Sequence, residues 1–318
     1  MLFEVRDLSV EYIGPKKRKK IVSNVNLSLG YKETLAVVGE SGSGKSMITN
    51  AIMGLMPSKF MHTRGRILFR QEDLLKKSEH EMQSIRGQRI GMVFQNTMSS
   101  LNPTMKIGDQ VSEGVKFHRK LGDKAGEYLA KNLLDMVKIR DVDRVMNQYP
   151  HQLSGGMRQR VMIAIAISCD PDILIADEPT TSLDVVTQGE ILKLIMELKN
   201  SSEMSIILIS HDISVVAGVA DRVAVIYGGR VMEEGITSKI LGKPNNPYTK
   251  FLLNSLPSIN KGEGSLNGTG YLTASAKGCP FSTRCPDSKE ICNVKAPGAF
   301  RVEKDHSSNC WLNDKGEK

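Results

Sequence analysis

Leu35-Ala36-Val37-Val38-Gly39-Glu40-Ser41-Gly42-Ser43-Gly44-Lys45-Ser46 decides how the rest of the chain is read. Leu35–Val38 is a short continuous apolar run, suited to a strand buried on both faces. From Gly39 the spacing is Gly, four residues, Gly-Lys-Ser. An apolar stretch from Lys45 to about Met56 reads as a helix, punctuated by Gly54 and Pro57. Strand, glycine-rich turn and helix in this order form the context in which such spacing grips phosphate. Glycines let the backbone curl so that successive N–H groups point at phosphate oxygens, and the helix N-terminus adds a favourable dipole. Gly39, Glu40, Ser41, Gly42, Ser43, Gly44, Lys45 and Ser46 are therefore the candidate nucleotide-binding residues. Lys45 would reach the β- and γ-phosphates, and Ser46 would hold Mg²⁺. The plain alternative is a glycine-rich turn without a ligand.

Working outward, Ile173-Leu174-Ile175-Ala176-Asp177-Glu178 is an apolar strand that ends in two carboxylates. Ligands of open α/β sheets sit at the carboxyl ends of strands. Asp177 is thus the expected second Mg²⁺ group, and Glu178 the expected general base for an attacking water. Solvated acids at an ordinary strand end are the alternative. Further apolar runs at Ile206–Ile209 and Val223–Ile226, with a helical pattern over Gly189–Lys199, alternate as strand and helix. That order predicts an α/β fold with a parallel sheet covered by helices. Leu8, Val10, Val22, Val25, Leu27 and Leu29 predict strands with turns before the glycine loop. Ala125, Leu129, Leu133 and Val137 recur at helical spacing over Asp123–Val137.

The chain has 318 residues, 43 Lys+Arg against 35 Asp+Glu, and a 40% hydrophobic fraction, enough for a real core. The apolar run Val161–Ile167 is far below the ~18–20 residues of a membrane span. Met1–Asp7 lacks a basic segment followed by an apolar one, so no secretory signal is expected and the chain is placed on the cytosolic side. Of the net charge of +8, five positive charges sit together in Lys16–Lys20. This run reads as a solvated turn between two early strands, with contact to anionic lipid as the alternative. Without interleaved aromatics it does not suggest nucleic acid binding. Cys279, Cys285, Cys292 and Cys310 cluster near the end, while Cys169, inside an apolar stretch, reads as a core residue. Reduced thiols clustered in a cytosol point toward a metal before a disulfide. From about Pro257 to residue 278 the composition is that of a linker.

Leu153-Ser154-Gly155-Gly156-Met157-Arg158-Gln159-Arg160 resembles the signature motif of ABC-type ATPases. The remaining motifs follow in the family's order. Gln95 in Val93-Phe94-Gln95 resembles the Q-loop glutamine and implies both a catalytic and a Mg²⁺ role. Ser182-Leu183-Asp184 resembles the D-loop, and Ser182 replaces the commoner alanine. His211 resembles the switch histidine that contacts the γ-phosphate, although a lone histidine at a strand end is more often structural. Tyr12 resembles the aromatic that stacks on adenine. Physically, Ser154 can cap a helix whose glycine-rich N-terminus approaches phosphate. The family implies that Ser154, Gly155, Gly156 and Met157 close over the nucleotide of a second, homologous ATPase subunit. The implied fold is a P-loop NTPase cassette of the ABC type. It has a mixed sheet core, an antiparallel β subdomain, and an α-helical subdomain at about 90–160.

Ser100-Leu101-Asn102-Pro103 and Asn246-Pro247-Tyr248-Thr249 resemble the oligopeptide, dipeptide and nickel importer ATPases. The resemblance implies a cassette over residues 1–256 and a small irregular tail over 257–318. In the tail, Cys279, Cys285, Cys292 and Cys310 would hold a [4Fe–4S] cluster. Their spacing lacks the Cys-x-x-Cys pairs of common zinc sites, and zinc or free cysteines remain open. It further implies two membrane permease subunits, an extracytoplasmic binding protein, a place at the cytoplasmic face of the membrane, and peptide cargo. Nickel or a metal chelate is the other cargo. A soluble ABC ATPase of DNA repair or translation, or a regulatory redox module, stand as other classes. The former tend to carry coiled-coil insertions or tandem cassettes, which this length and its single phosphate loop do not offer.

Overall fold

The structure, a computed structural model, describes residues 1–15, 17–181, 183–255 and 277–314, with the backbone alone for Thr97 and Met98. Lys16, Ser182 and nearly all of the expected linker lie outside these described residues. In chain order come strands β1 (Phe3–Ile13), β2 (Arg18–Leu29) and β3 (Thr34–Val38), helix α1 (Lys45–Met53), and strands β4 (Met61–Phe69) and β5 (Glu72–Asp73). There follow α2 (Glu79–Ile85), β6 (Ile90–Val93), α3 (Thr97–Ser100), α4 (Ile107–Arg119), α5 (Asp123–Met136), α6 (Val142–Met146), α7 (Gly155–Ile167) and β7 (Ile173–Asp177). Next are α8 (Val185–Asn200), β8 (Ser205–Ser210), α9 (Ile213–Val216), β9 (Arg222–Tyr227) and β10 (Arg230–Ile236). The chain ends with α10 (Thr237–Gly242), α11 (Pro247–Asn254), α12 (Glu290–Val294), β11 (Phe300–Glu303) and β12 (His306–Ser308).

Two compact units divide the chain. The first is Met1–Leu29, Glu33–Leu75 and Ser210–Lys318; the second is Gly30–Lys32 and Lys76–Ile209. In the first unit β2, β1, β4 and β5 form an antiparallel sheet in that order. Strands β3 and β9 pair in parallel, and β10, β12 and β11 extend them antiparallel. Every residue of β3 is buried, as the apolar run requires. Each such Leu or Val contributes roughly 1.5–3 kcal/mol relative to an exposed one. Helix α1 ends earlier than its apolar pattern extends, because Gly54 takes the left-handed conformation (φ 64) and its N–H caps the last turn.

The tail differs from the irregular segment expected. Residues Phe300–Ser308 form a hairpin whose strand β12 lies along β10, so backbone pairing fastens it to the first unit. Phe281 is 2% exposed and joins Tyr227 and Tyr248 in that unit's core. The turn segment of the basic run is also shorter than expected: Arg18, Lys19 and Lys20 already belong to β2 and pair with Ile13, Tyr12 and Glu11.

In the second unit β6, β7 and β8 form a parallel ladder, and β7 and β8 are wholly buried. Helices α4 and α5 bury Ile107, Val111, Val115, Ala130, Leu133 and Leu134. Helix α7 is apolar nearly all round and carries Val161–Ile167 into the interior. Cys169 sits beyond the end of α7, half-buried, its thiol 3.7 Å from the Gly114 carbonyl, and is not a residue of the helix. Among the described residues no helix is long and apolar enough to cross a membrane.

Candidate active site

In the first unit the loop between β3 and α1 wraps on itself. The Lys45 ammonium, only 4% exposed, donates to the carbonyls of Gly39 at 2.7 Å and Glu40 at 3.0 Å. This curls the loop into a ring whose end is the N-terminus of α1. Gly39 is required by close approach: a Cβ there would stand 2.0 Å from the Ile226 carbonyl oxygen. Gly44 caps α1 at φ 102, a conformation that favours glycine. Ser43 is 1% exposed, and its hydroxyl has no hydrogen-bond partner among the described residues. A buried hydroxyl without a partner costs free energy until an acceptor arrives. Ser41, Gly42 and Ser46 complete the loop and the first helical turn.

Tyr12 lies on β1 with its ring edge-on to Phe60, the centroids 6.0 Å apart. Gly14 leaves room for that ring, since a Cβ there would come within 2.6 Å of it. His211 follows β8 directly and is exposed, and Asp212 caps α9 behind it.

Two acids stand in the second unit. Asp177 ends β7 at 4% exposure. Glu178 follows in the left-handed region at φ 47, a conformation uncommon outside glycine, Asn and Asp. Its N–H donates to the Ile209 carbonyl at 3.1 Å, tying the turn to β8. The Gln95 amide donates to the Glu178 carboxylate at 2.9 Å, and the Thr181 hydroxyl donates to the same oxygen, also at 2.9 Å. A carboxylate held by two donors is oriented before any reaction begins. Thr181 was not singled out by sequence; its three-residue offset from Glu178 was the available signal.

The signature segment is built as a helix start. Ser154 accepts from the Met157 N–H at 3.3 Å and caps α7. A Cβ on Gly156 would stand 2.9 Å from the Thr187 methyl, so this glycine lets the start of α7 lie against the start of α8. Asp184 caps α8 through the Thr187 N–H at 3.0 Å and takes the Thr187 hydroxyl at 2.7 Å. That hydroxyl holds the Asp184 carboxyl below the usual carboxylate range. Val185 and Val186, beside this paired helix start, are 82% and 73% exposed.

Cys279, Cys285, Cys292 and Cys310 all line one cavity of about 20 Å³, walled by Met232, Phe281 and Trp311. Burial pushes the Cys285 thiol up to about 11 and raises Cys279 and Cys310 as well. An all-thiol donor set suits iron–sulfur or zinc. Yet among the described residues no group of three or more His, Cys, Asp or Glu is close enough to hold a metal ion. The expected cluster site is therefore not formed in this arrangement.

The ABC transporter family model matches residues 22–181, and that of the oligopeptide/dipeptide transporter C-terminal region matches residues 232–292. The dipeptide transport ATP-binding protein of Bacillus subtilis is 45% identical over 98% of this chain and 95% of its own length. The oligopeptide transport ATP-binding protein of Escherichia coli is 43% identical over 93% of this chain and 89% of its own. Among solved structures, a dimeric bacterial ABC transporter cassette superposes with a TM-score of 0.66 at 28% identity. It covers 74% of this chain and 98% of the cassette.

Proposed function

The chain belongs to the ABC transporter family and carries the C-terminal region of its oligopeptide/dipeptide branch, and on that premise we propose how its residues divide the work. The protein hydrolyses ATP and thereby powers peptide import. Gly39–Ser46 bind the phosphates: the loop's N–H groups and Lys45 take the negative charge, and the unpartnered Ser43 hydroxyl supports the presence of an acceptor there. Tyr12 stacks on the base. Ser46, Gln95 and Asp177 are the residues that would hold Mg²⁺, which would supply charge neutralisation at the phosphates. Glu178 takes a proton from the attacking water, and His211 contacts the γ-phosphate.

The observation that carries the catalytic assignment is the pair of hydrogen bonds from Gln95 and Thr181 to the Glu178 carboxylate. They turn a base toward one direction and leave it little freedom to reorganise. In Glu178→Gln, ATP hydrolysis should fall by about a hundredfold or more while ATP still binds. Unchanged turnover in this variant would show that Glu178 is not the base.

Ser154, Gly155, Gly156 and Met157 serve the nucleotide of a second ATPase subunit, and Asp184 lies at the same junction. The adjoining exposed Val185 and Val186 support a partner surface, because apolar side chains of this exposure gain by being covered. The assembly further includes two permease subunits and an extracytoplasmic binding protein, at the cytoplasmic face of the membrane. Residues 1–256 act as the cassette and 257–318 as the tail region. For the tail, Cys279, Cys285, Cys292 and Cys310 are the residues that would hold a [4Fe–4S] cluster, which would act there as a cross-link. Their sharing of one cavity supports this reading. Iron, sulfide and zinc analysis of anaerobically purified protein tests it: stoichiometric zinc without iron would sink the cluster.

A further inference from the structure

Arg284 lies in the tail, between Phe281 and Cys285, yet its partner is in the glycine loop. Its guanidinium meets the Glu40 carboxylate at 2.9 Å and donates to the Tyr227 hydroxyl at 3.1 Å. Around it stand three aromatic faces: Phe251 with its centroid at 4.8 Å, and Tyr227 and Phe281, each at 5.7 Å. The same stretch of loop is held from behind, where the Glu40 N–H donates to the Tyr248 hydroxyl at 3.1 Å. Exposed ion pairs contribute little because both side chains stay free to move. This pair is different. The Arg284 side chain is 20% exposed and the Glu40 side chain 29%, and the aromatic cage fixes the guanidinium.

The turn that presents Arg284 is also rigid. The Ser282 N–H donates to the Cys279 carbonyl at 3.1 Å, and the Arg284 N–H to the Phe281 carbonyl at 3.0 Å. The Cys279 N–H is anchored to the Cys292 carbonyl at 2.7 Å. Glu40 is the second residue of a loop whose business is to hold polyphosphate. Left unpaired, its carboxylate would repel that ligand. Its backbone carbonyl is at once an acceptor for Lys45, so a shift of Glu40 is a shift of the lysine.

We propose that Arg284 is a positioning residue for the nucleotide loop: by neutralising and fixing Glu40, the tail sets how tightly the loop grips the phosphates of a nucleotide. This rests on the reading of Gly39–Ser46 as the nucleotide site. The geometry gives the tail a direct part in the chemistry of the cassette, through a side chain 244 positions from its partner in sequence.

The test is calorimetric ATP binding to the full chain with magnesium chelated, so that no turnover intervenes. Arg284→Met should weaken ATP binding by about five- to tenfold. Arg284→Lys, which keeps the charge without the fork, should lie between Arg284→Met and the native protein. In a Glu40→Gln background, Arg284→Met should cost nothing further. Native affinity in Arg284→Met would overturn the proposal. So would an equal loss with and without the Glu40 carboxylate, or Arg284→Lys binding no better than Arg284→Met. Lys45→Met separates the two readings. Loss of ATP binding there with no effect at Arg284 defeats this proposal alone, whereas native ATP affinity in Lys45→Met defeats the nucleotide site on which it rests.

Discussion

The side-chain amide of Gln95 donates to the Glu178 carboxylate across 2.9 Å, joining a loop after β6 to the turn after β7. Gln95→Ala should lower the rate of ATP hydrolysis by about tenfold, because the base loses a fixed donor. If the two act as a unit, Gln95→Ala should cost far less in a Glu178→Gln background. Steady-state hydrolysis by the four members of this cycle checks it. Additive losses would mean that Gln95 acts elsewhere.

Thr181 supplies a further donor to the same oxygen. Thr181→Val keeps the shape and removes the hydroxyl. Turnover should fall by about tenfold, the worth of a hydrogen bond to a charged group, with ATP affinity unchanged. Thr181→Ser should restore most of the rate. A serine variant as slow as the valine one would assign the effect to packing.

How far these residues were legible in sequence follows from the range of the forces that place them. The glycine loop is local: Gly39, Gly44 and Lys45 fix one another within a single turn, so their spacing sufficed. Glu178 was legible from the apolar strand before it. Its left-handed backbone, which aims it at Thr181, was not, since no glycine marks the position. Helix α4 was missed although Ile107, Val111 and Val115 recur every four residues, a signal that was available. The hairpin of β11 and β12 was missed for a better reason. Phe300–Glu303 and His306–Ser308 are short and largely polar, and they become strands because β12 pairs with β10 and β11 with β12. Arg284 has no local signal at all.

The Ser154 cap predicts a division between stability and catalysis. Ser154→Ala should destabilise α7 by about 1 kcal/mol, read from urea unfolding. If Ser154 serves a partner's nucleotide as proposed, ATP hydrolysis should fall by about tenfold or more. ATP affinity of the isolated subunit should stay at its native value. An equal loss of that affinity would place Ser154 in the subunit's own site.

A pH dependence follows from Glu234, which is half-buried beside Arg222, its side chain 16% exposed. Desolvation raises its pKa above 4.5, and the Arg222 charge and hydrogen bond offset only part of this. An acid whose pKa is raised on folding binds its proton more tightly when folded. Its contribution to stability is therefore complete below about pH 4.5 and is lost as pH rises through its folded value. Glu234→Gln removes this term, and Arg222 keeps Glu33 at 3.0 Å. In urea melts the variant should gain on the native protein as pH rises from about 4.5 toward neutrality. A difference that stays constant with pH would reject the assignment.

Strand β12 covers β10, and its His306 closes onto Glu233, a carboxylate with no exposure that also receives the N–H groups of Asn245 and Asn246. A chain cut before Lys277 would keep every nucleotide motif intact. It would nevertheless bare a row of unpaired backbone groups along β10 and strip a sealed carboxylate of its imidazole. Such an open edge invites strands from other chains, so the truncated protein would be an aggregation template before it was an inactive enzyme. The tail thus works as insulation for the cassette, and shortened versions of this subunit are expected to fail by self-association.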